Sequence, residues 1–144
     1  MISTRETFRK AERLCSHKKI TNLFEKGNTF YTKCFKVIWD DAEPDQPFPT
    51  EVLFIVPKKA FRHAVRRNLI KRRMKEAYRK NKSYLYEFLI SENTKITLIV
   101  IYRKKIIEEY SVIEAAVREM TDKLSGDVRK KIFIDKLRIN KTDL

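Results

Sequence analysis

The chain has 144 residues, 42% hydrophobic and 11% aromatic, which is enough apolar material for one folded domain and its core but not for two. Its 33 Lys+Arg against 19 Asp+Glu leave a net charge of +14, a surplus that repels itself and fits a polyanionic partner, whose binding would release counterions. No run approaches the ~18 uninterrupted apolar residues of a membrane span, the opening MISTRETFRKAERL holds no apolar signal core, and Cys15, Cys34, His17 and His63 are too scattered for a metal site or a disulfide framework. A membrane role is therefore not expected, and a cytoplasmic protein is.

The first dozen residues are charged and unpatterned and read as a basic arm. Ser16 offers an N-cap to a short amphipathic helix, Lys18–Lys26, with Ile20, Leu23 and Phe24 on one side and Gly27 in the C′ place. Lys33–Trp39 is β-branched and aromatic and predicts a strand, with Phe35, Val37 and Trp39 on one face and Cys34, Lys36 and Ile38 on the other. Asp40–Pro49, acidic and carrying Pro44, Pro47 and Pro49, predicts a loop in which Asp40 and Asp41 form a solvated turn. Glu51–Val56 is a second strand, closed by Pro57.

Lys58–Lys82 then holds twelve of the Lys+Arg residues and one carboxylate, Glu76. It is not a disordered tail, because Ile70, Met74, Ala77 and Tyr78 recur at helical spacing, while Asn68, Lys71, Arg72, Lys75 and Arg79 share an adjacent arc of roughly 100°. The spacing predicts a helix from Phe61 or Ala64 to about Asn81, with Ser83–Leu89 as its extension or a second piece. Lys95–Tyr102 is nearly continuous in β-branched residues, as a central strand requires. Ser111 and Glu114 match a capping box ahead of Ile113, Val117, Met120 and Leu124, a helix expected to end at Gly126. Residues 1–126 thus read as one domain and 127–144 as an extension, helical or partly disordered. The order predicts an α+β sandwich, one mixed sheet of about four strands packed with helices, with the strands flanking the basic helix parallel if adjacent.

No catalytic constellation is visible: there is no G-x-S-x-G, H-E-x-x-H or Gly-rich phosphate loop, and the chain has two glycines in all. The basic helix lacks the interspersed acids that solvated helices use for i,i+4 pairing, so a polyanion is the expected partner. A DNA reader would want a second helix across a short turn before the basic one, where a strand and Pro57 stand instead. An RNA partner fits better: phosphate contacts supply affinity, and adjacent apolar or aromatic side chains stack on unpaired bases.

At this segment the sequence resembles the protein subunit of bacterial ribonuclease P. The resemblance is carried by Val56-Pro57-Lys58-Lys59, Ala64-Val65, Arg67-Asn68-Leu69-Ile70-Lys71-Arg72 and Lys75-Glu76-Ala77-Tyr78. It continues in Arg13-Leu14, in Ile20, Leu23-Phe24 and Gly27, and in Ile96–Tyr102 with Arg103-Lys104, spanning about residues 13–120. It implies a ribosomal-protein-like sandwich with a left-handed β-α-β crossover. It also implies an RNA subunit that carries the catalysis and its Mg2+, so no cofactor or metal is expected on the protein alone. The implied partners are that RNA and the 5′ leader of precursor tRNA. Implied RNA-binding positions are Lys58, Lys59, Arg67, Asn68, Lys71, Arg72 and Lys75, and Arg66 and Arg79 of the same charge run are candidates with them; implied leader-cleft positions are Ile20, Phe24 and Ile38, and Lys36 on the face of Ile38 is a candidate with them. The third residue of the family's R-N-R is Leu69 here, and aliphatic Ile20 and Ile38 stand where aromatics are common. The alternative is a structural RNA-binding protein of ribosomal type with no part in cleavage.

Overall fold

The computed structural model describes residues 7–142, with side chains to residue 139; the tip of the basic arm, residues 1–6, and residues 143 and 144 lie outside the described residues. After a 3₁₀ turn at Lys10–Glu12 come α1 (His17–Lys26), β1 (Asn28–Tyr31), β2 (Phe35–Asp41), β3 (Thr50–Ile55), α2 (Ala64–Asn81), α3 (Ser83–Ser91), β4 (Ile96–Tyr102) and α4 (Tyr110–Thr142). The sheet runs β1-β2-β4-β3, with β4 antiparallel to β2 and parallel to β3. β4 is central, which is why its side chains form a nearly continuous apolar run rather than an alternation.

One face of the sheet carries the main core. Phe35, Val37 and Trp39 of β2, Val52 and Phe54 of β3, and Leu98 and Val100 of β4 pack against Ile70, Met74, Ala77 and Tyr78 of α2, Leu85 and Leu89 of α3, and Ile113, Val117, Met120 and Leu124 of α4. Each large side chain so buried contributes roughly 1.5–3 kcal/mol, and the four α2 residues at helical spacing fix which way that helix turns its cations. Among the described residues the opposite face is covered by α1 and by Leu14 just before it, through a smaller cluster of Leu14, Leu23, Ile38 and Ile99.

Several elements depart from the sequence expectation. β1 is an addition to it: a four-residue edge strand, mostly exposed, without an alternating apolar signal. The strand predicted from Lys33 begins at Phe35, because Thr32 closes a tight turn in which its Oγ1 accepts from the Phe35 amide at 3.0 Å. Gly27 is not in a left-handed C′ conformation (φ −69°, ψ 154°); it is needed for space, since a Cβ would stand 2.5 Å from both Ile38 Cγ2 and the Leu23 carbonyl oxygen. Asp40 and Asp41 are not a solvated turn but the end of β2, both paired with Lys131 of α4 (3.1 and 2.9 Å). The Ser111 capping box does not form: α4 starts one residue earlier, and Glu114 bridges to α2 by accepting from Asn81. Gly126 does not end that helix, which continues to Thr142, about 50 Å in length. Val128 is buried and Ile132 packs against the core, so tertiary burial overrides the single glycine.

A buried polar chain ties the amino-terminal segment to the helical layer. Lys82, at the α2–α3 junction, pairs with Glu12 and donates to the Thr7 carbonyl; Tyr86 donates to Glu12; and the Thr50 hydroxyl meets Tyr78 at 2.6 Å and Tyr86 at 3.0 Å. Glu12 and Lys82 are both buried, and desolvation pushes the Tyr78 and Tyr86 phenols well above their ordinary value. Arg13 follows directly, bridged in parallel to Val52 on β3.

Candidate nucleic-acid interface

Burial of Ile70, Met74 and Tyr78 leaves the flank of α2 to its polar residues. Arg66, Asn68 and Arg72 are exposed; Lys71 and Lys75 are half-buried, their aliphatic stems lying along the protein. Among the described residues, the side chains of Arg66, Asn68, Lys71 and Arg72 make no hydrogen bond or ion pair. Lys58 and Lys59 are exposed in the turn between β3 and α2. Partial burial first, then the charges of Arg13 and Lys71, hold the Lys75 ammonium below its ordinary value. The two like charges add to the lowering that burial begins.

Two residues named with this group are engaged inside the protein. Arg67 sends Nη1 to the carbonyls of Phe61 and Arg62, both at 2.8 Å, and so fixes the loop that carries Lys58 and Lys59. Arg79 is held by Glu76 (Nη2 to Oε1, 2.6 Å; Nε to Oε2, 3.0 Å), and that bond pulls the Glu76 carboxyl below its usual range. Arg73 points elsewhere, donating to the Glu108 carbonyl at 2.6 Å. The row facing outward therefore centres on Asn68, Lys71, Arg72 and Lys75, while Arg66, exposed in the first turn of α2, lies on another side of the helix. Arg13 joins it from the other end of the chain. Sequence reasoning does not place Arg13 here, because a single β-bridge and a buried ion pair bring it in.

The second face of the sheet is a partly open floor. Register sets Tyr31, Lys36, Ile101 and Ile55 in one row, and Thr29, Ile38, Ile99 and Leu53 in the next. Phe24 of α1 is 52% exposed at its edge. Ile20 is half-buried against the small cluster, and Lys36 is half-exposed in the first row. Ile38 corrects the expectation: at 3% exposure it lies under α1 and Gly27 and presents nothing to a ligand. Lys19 pins α1 over the floor by pairing with Glu51 at 3.2 Å. Tyr31 and Arg103 also stand on this face; sequence reasoning misses Tyr31 as a site residue because the strand that carries it has no apolar alternation to announce it.

Fold and surfaces together define an α+β nucleic-acid-binding domain: a rigid helix with unpaired cations and, on another side, a shallow sheet floor beside a short helix. Comparison with known proteins gives the family. The Ribonuclease P family model matches residues 8–125. The ribonuclease P protein component of Porphyromonas gingivalis is 29% identical over 119 residues, 83% of this chain and 87% of that protein; that of Petrotoga mobilis is 38% identical over 87 residues, 58% and 70%. In fold, the chain is similar to the ribonuclease P proteins of Staphylococcus aureus (TM-score 0.63, 23% identity, 81% of this chain and 96% of that one) and Thermotoga maritima (0.63, 20%, 78% and 96%). The chain belongs to the ribonuclease P protein family.

Proposed function

We infer that this chain is the protein component of ribonuclease P, the RNA-binding subunit of the endonuclease that removes the 5′ leader from precursor tRNA. The observation that carries the reading is the row of Lys71, Arg72 and Lys75, unpaired on a helix whose other side is locked into the core, in a chain matched to the family over residues 8–125. In this reading Lys58, Lys59, Arg66, Asn68, Lys71, Arg72, Lys75 and Arg13 contact phosphates of the RNA subunit, while Phe24, Ile20 and Lys36 border the leader's path. Two polyanions, catalytic RNA and precursor, must come together; a scaffold at +14 offsets their repulsion and lowers the magnesium needed to do so. Rigid display matters because cations already fixed in place lose little conformational freedom on binding.

The cleavage chemistry and its Mg2+ belong, in this reading, to the RNA subunit. Among the described residues no group of three or more His, Cys, Asp or Glu is arranged to hold a metal ion. No described helix is long and apolar enough to cross a membrane, and we place the protein in the cytoplasm with its RNA partners.

The test is cleavage of precursor tRNA at low magnesium by a bacterial ribonuclease P RNA, with and without this chain. The expected result is strong stimulation by the protein and no cleavage by the protein alone. Absence of stimulation despite RNA binding would favour a structural RNA binder, and cleavage by the protein alone would put an active site in the chain.

A further inference from the structure

The described residues expose four large aromatic rings, Phe24, Tyr31, Tyr84 and Phe133, and of these only Tyr31 stands on the sheet. An edge strand ordinarily carries charge or proline at such a place, because an exposed flat edge invites unwanted pairing. Here the ring is 51% exposed, yet held from several directions. The Tyr31 carbonyl accepts from Lys123 Nζ at 2.9 Å. The Arg103 guanidinium lies 4.8 Å from the ring centroid while its Nη1 donates to the Thr32 carbonyl at 2.6 Å. Lys36, directly across the ladder, brings its ammonium to 5.9 Å from the same centroid. A ring fixed in place and half exposed offers a preorganised stacking surface, and the two cations over it supply charge for the phosphates of a stacked base. The floor is open at this row: α1 sits over Ile38 and Ile99, one row further on and roughly 7 Å along the strands.

We propose that Tyr31 is the stacking platform for one unpaired base of the precursor's 5′ leader, with Lys36 and Arg103 taking the phosphates that flank it. The proposal rests on the leader-binding reading above and adds to it the residue that grips a base. It also adds a second aromatic contact, besides Phe24 at the edge, to a floor lined by Ile101, Ile55 and the half-buried Ile20.

The experiment reconstitutes the full chain with a bacterial ribonuclease P RNA and measures affinity for precursor tRNAs with a long leader, progressively shortened leaders and none. In parallel, 2-aminopurine is placed at successive leader positions as a fluorescent report of stacking. Tyr31→Ala and Tyr31→Leu are expected to weaken binding of the long-leader substrate roughly 5- to 100-fold, and Tyr31→Phe to retain it. Affinity for leaderless tRNA and for the RNA subunit is expected to stay unchanged in all three. Quenching at one leader position is expected with the wild-type chain and Tyr31→Phe and not with Tyr31→Ala. Wild-type leader dependence in Tyr31→Ala would overturn the proposal. So would an equal loss for leaderless tRNA, which would make the ring a structural staple. If the wild-type chain itself fails to stimulate cleavage, the parent reading falls instead.

Discussion

Removing the carboxylate of Glu12 isolates the energetic role of the amino-terminal segment. Glu12 and Lys82 are 1% and 4% exposed, so Glu12→Ala leaves a buried ammonium with no carboxylate, facing the Thr7 carbonyl and the Tyr86 ring, and takes away one of the two partners of the Tyr86 hydroxyl. Breaking one side of a buried pair costs about 3–5 kcal/mol, a large share of the ~5–15 kcal/mol that stabilises a typical domain. Replacing both partners by apolar residues, Glu12→Leu with Lys82→Met, removes the unpaired charge as well and is expected to recover most of the loss. Urea unfolding of the two single variants and the double variant gives the coupling directly. Because Glu12 precedes Arg13, the single variant is also expected to weaken binding of the RNA subunit, and the double variant to restore it. A loss below about 1 kcal/mol for Glu12→Ala would refute the claim that this pair is desolvated and holds the segment down.

Three further outcomes follow from individual interactions. Arg67→Lys keeps the charge but cannot reach both the Phe61 and Arg62 carbonyls, so it is expected to lower stability by about 1–3 kcal/mol and to weaken RNA binding by loosening the Lys58–Lys59 loop; unchanged melting and binding would contradict this. Gly27→Ala is expected to cost roughly 1–3 kcal/mol, since the new Cβ meets the Leu23 carbonyl oxygen and Ile38 at 2.5 Å, whereas Gly126→Ala, with nothing within 4 Å, is expected to gain up to about 1 kcal/mol; thermal melts in the reverse order would be fatal to both arguments. Lys75 titrates below the ordinary lysine value, so between the two pKa values the unfolded chain holds more protons and the free protein becomes more stable as pH rises. Bound phosphate reverses the bias, and NMR titration is expected to show the Lys75 pKa moving up when RNA is added; no movement would remove Lys75 from the contact surface.

Much of the fold and of the basic comb is readable from the chain because the signals are local. Ile70, Met74, Ala77 and Tyr78 set the phase of α2, and the same periodicity places Lys71, Arg72 and Lys75 together; the β-branched run of β4 announces a central strand. What sequence misses depends on partners far away or on geometry it does not carry. Arg79 reads as a free cation until its bond to Glu76 is visible, and Arg67 until the loop carbonyls fold back onto it. Ile38 alternates correctly onto the α1 side of the sheet, but burial there requires Gly27 to let α1 close over it. Gly126 reads as a stop because propensity is local, while Val128 and the pairing of Lys131 with Asp40 and Asp41 hold the helix on from a distance.

The central claim is that α2 presents unpaired cations to RNA phosphates. The measurement that meets it head-on is the salt dependence of binding between this chain and a bacterial ribonuclease P RNA, for the wild type and for Lys71→Gln with Arg72→Gln. Removing one cation from a phosphate is expected to flatten the log–log slope by about one unit, so the double variant should bind more weakly and fall about two units short of the wild-type slope. Equal affinity and equal slope would mean that these side chains do not touch the RNA.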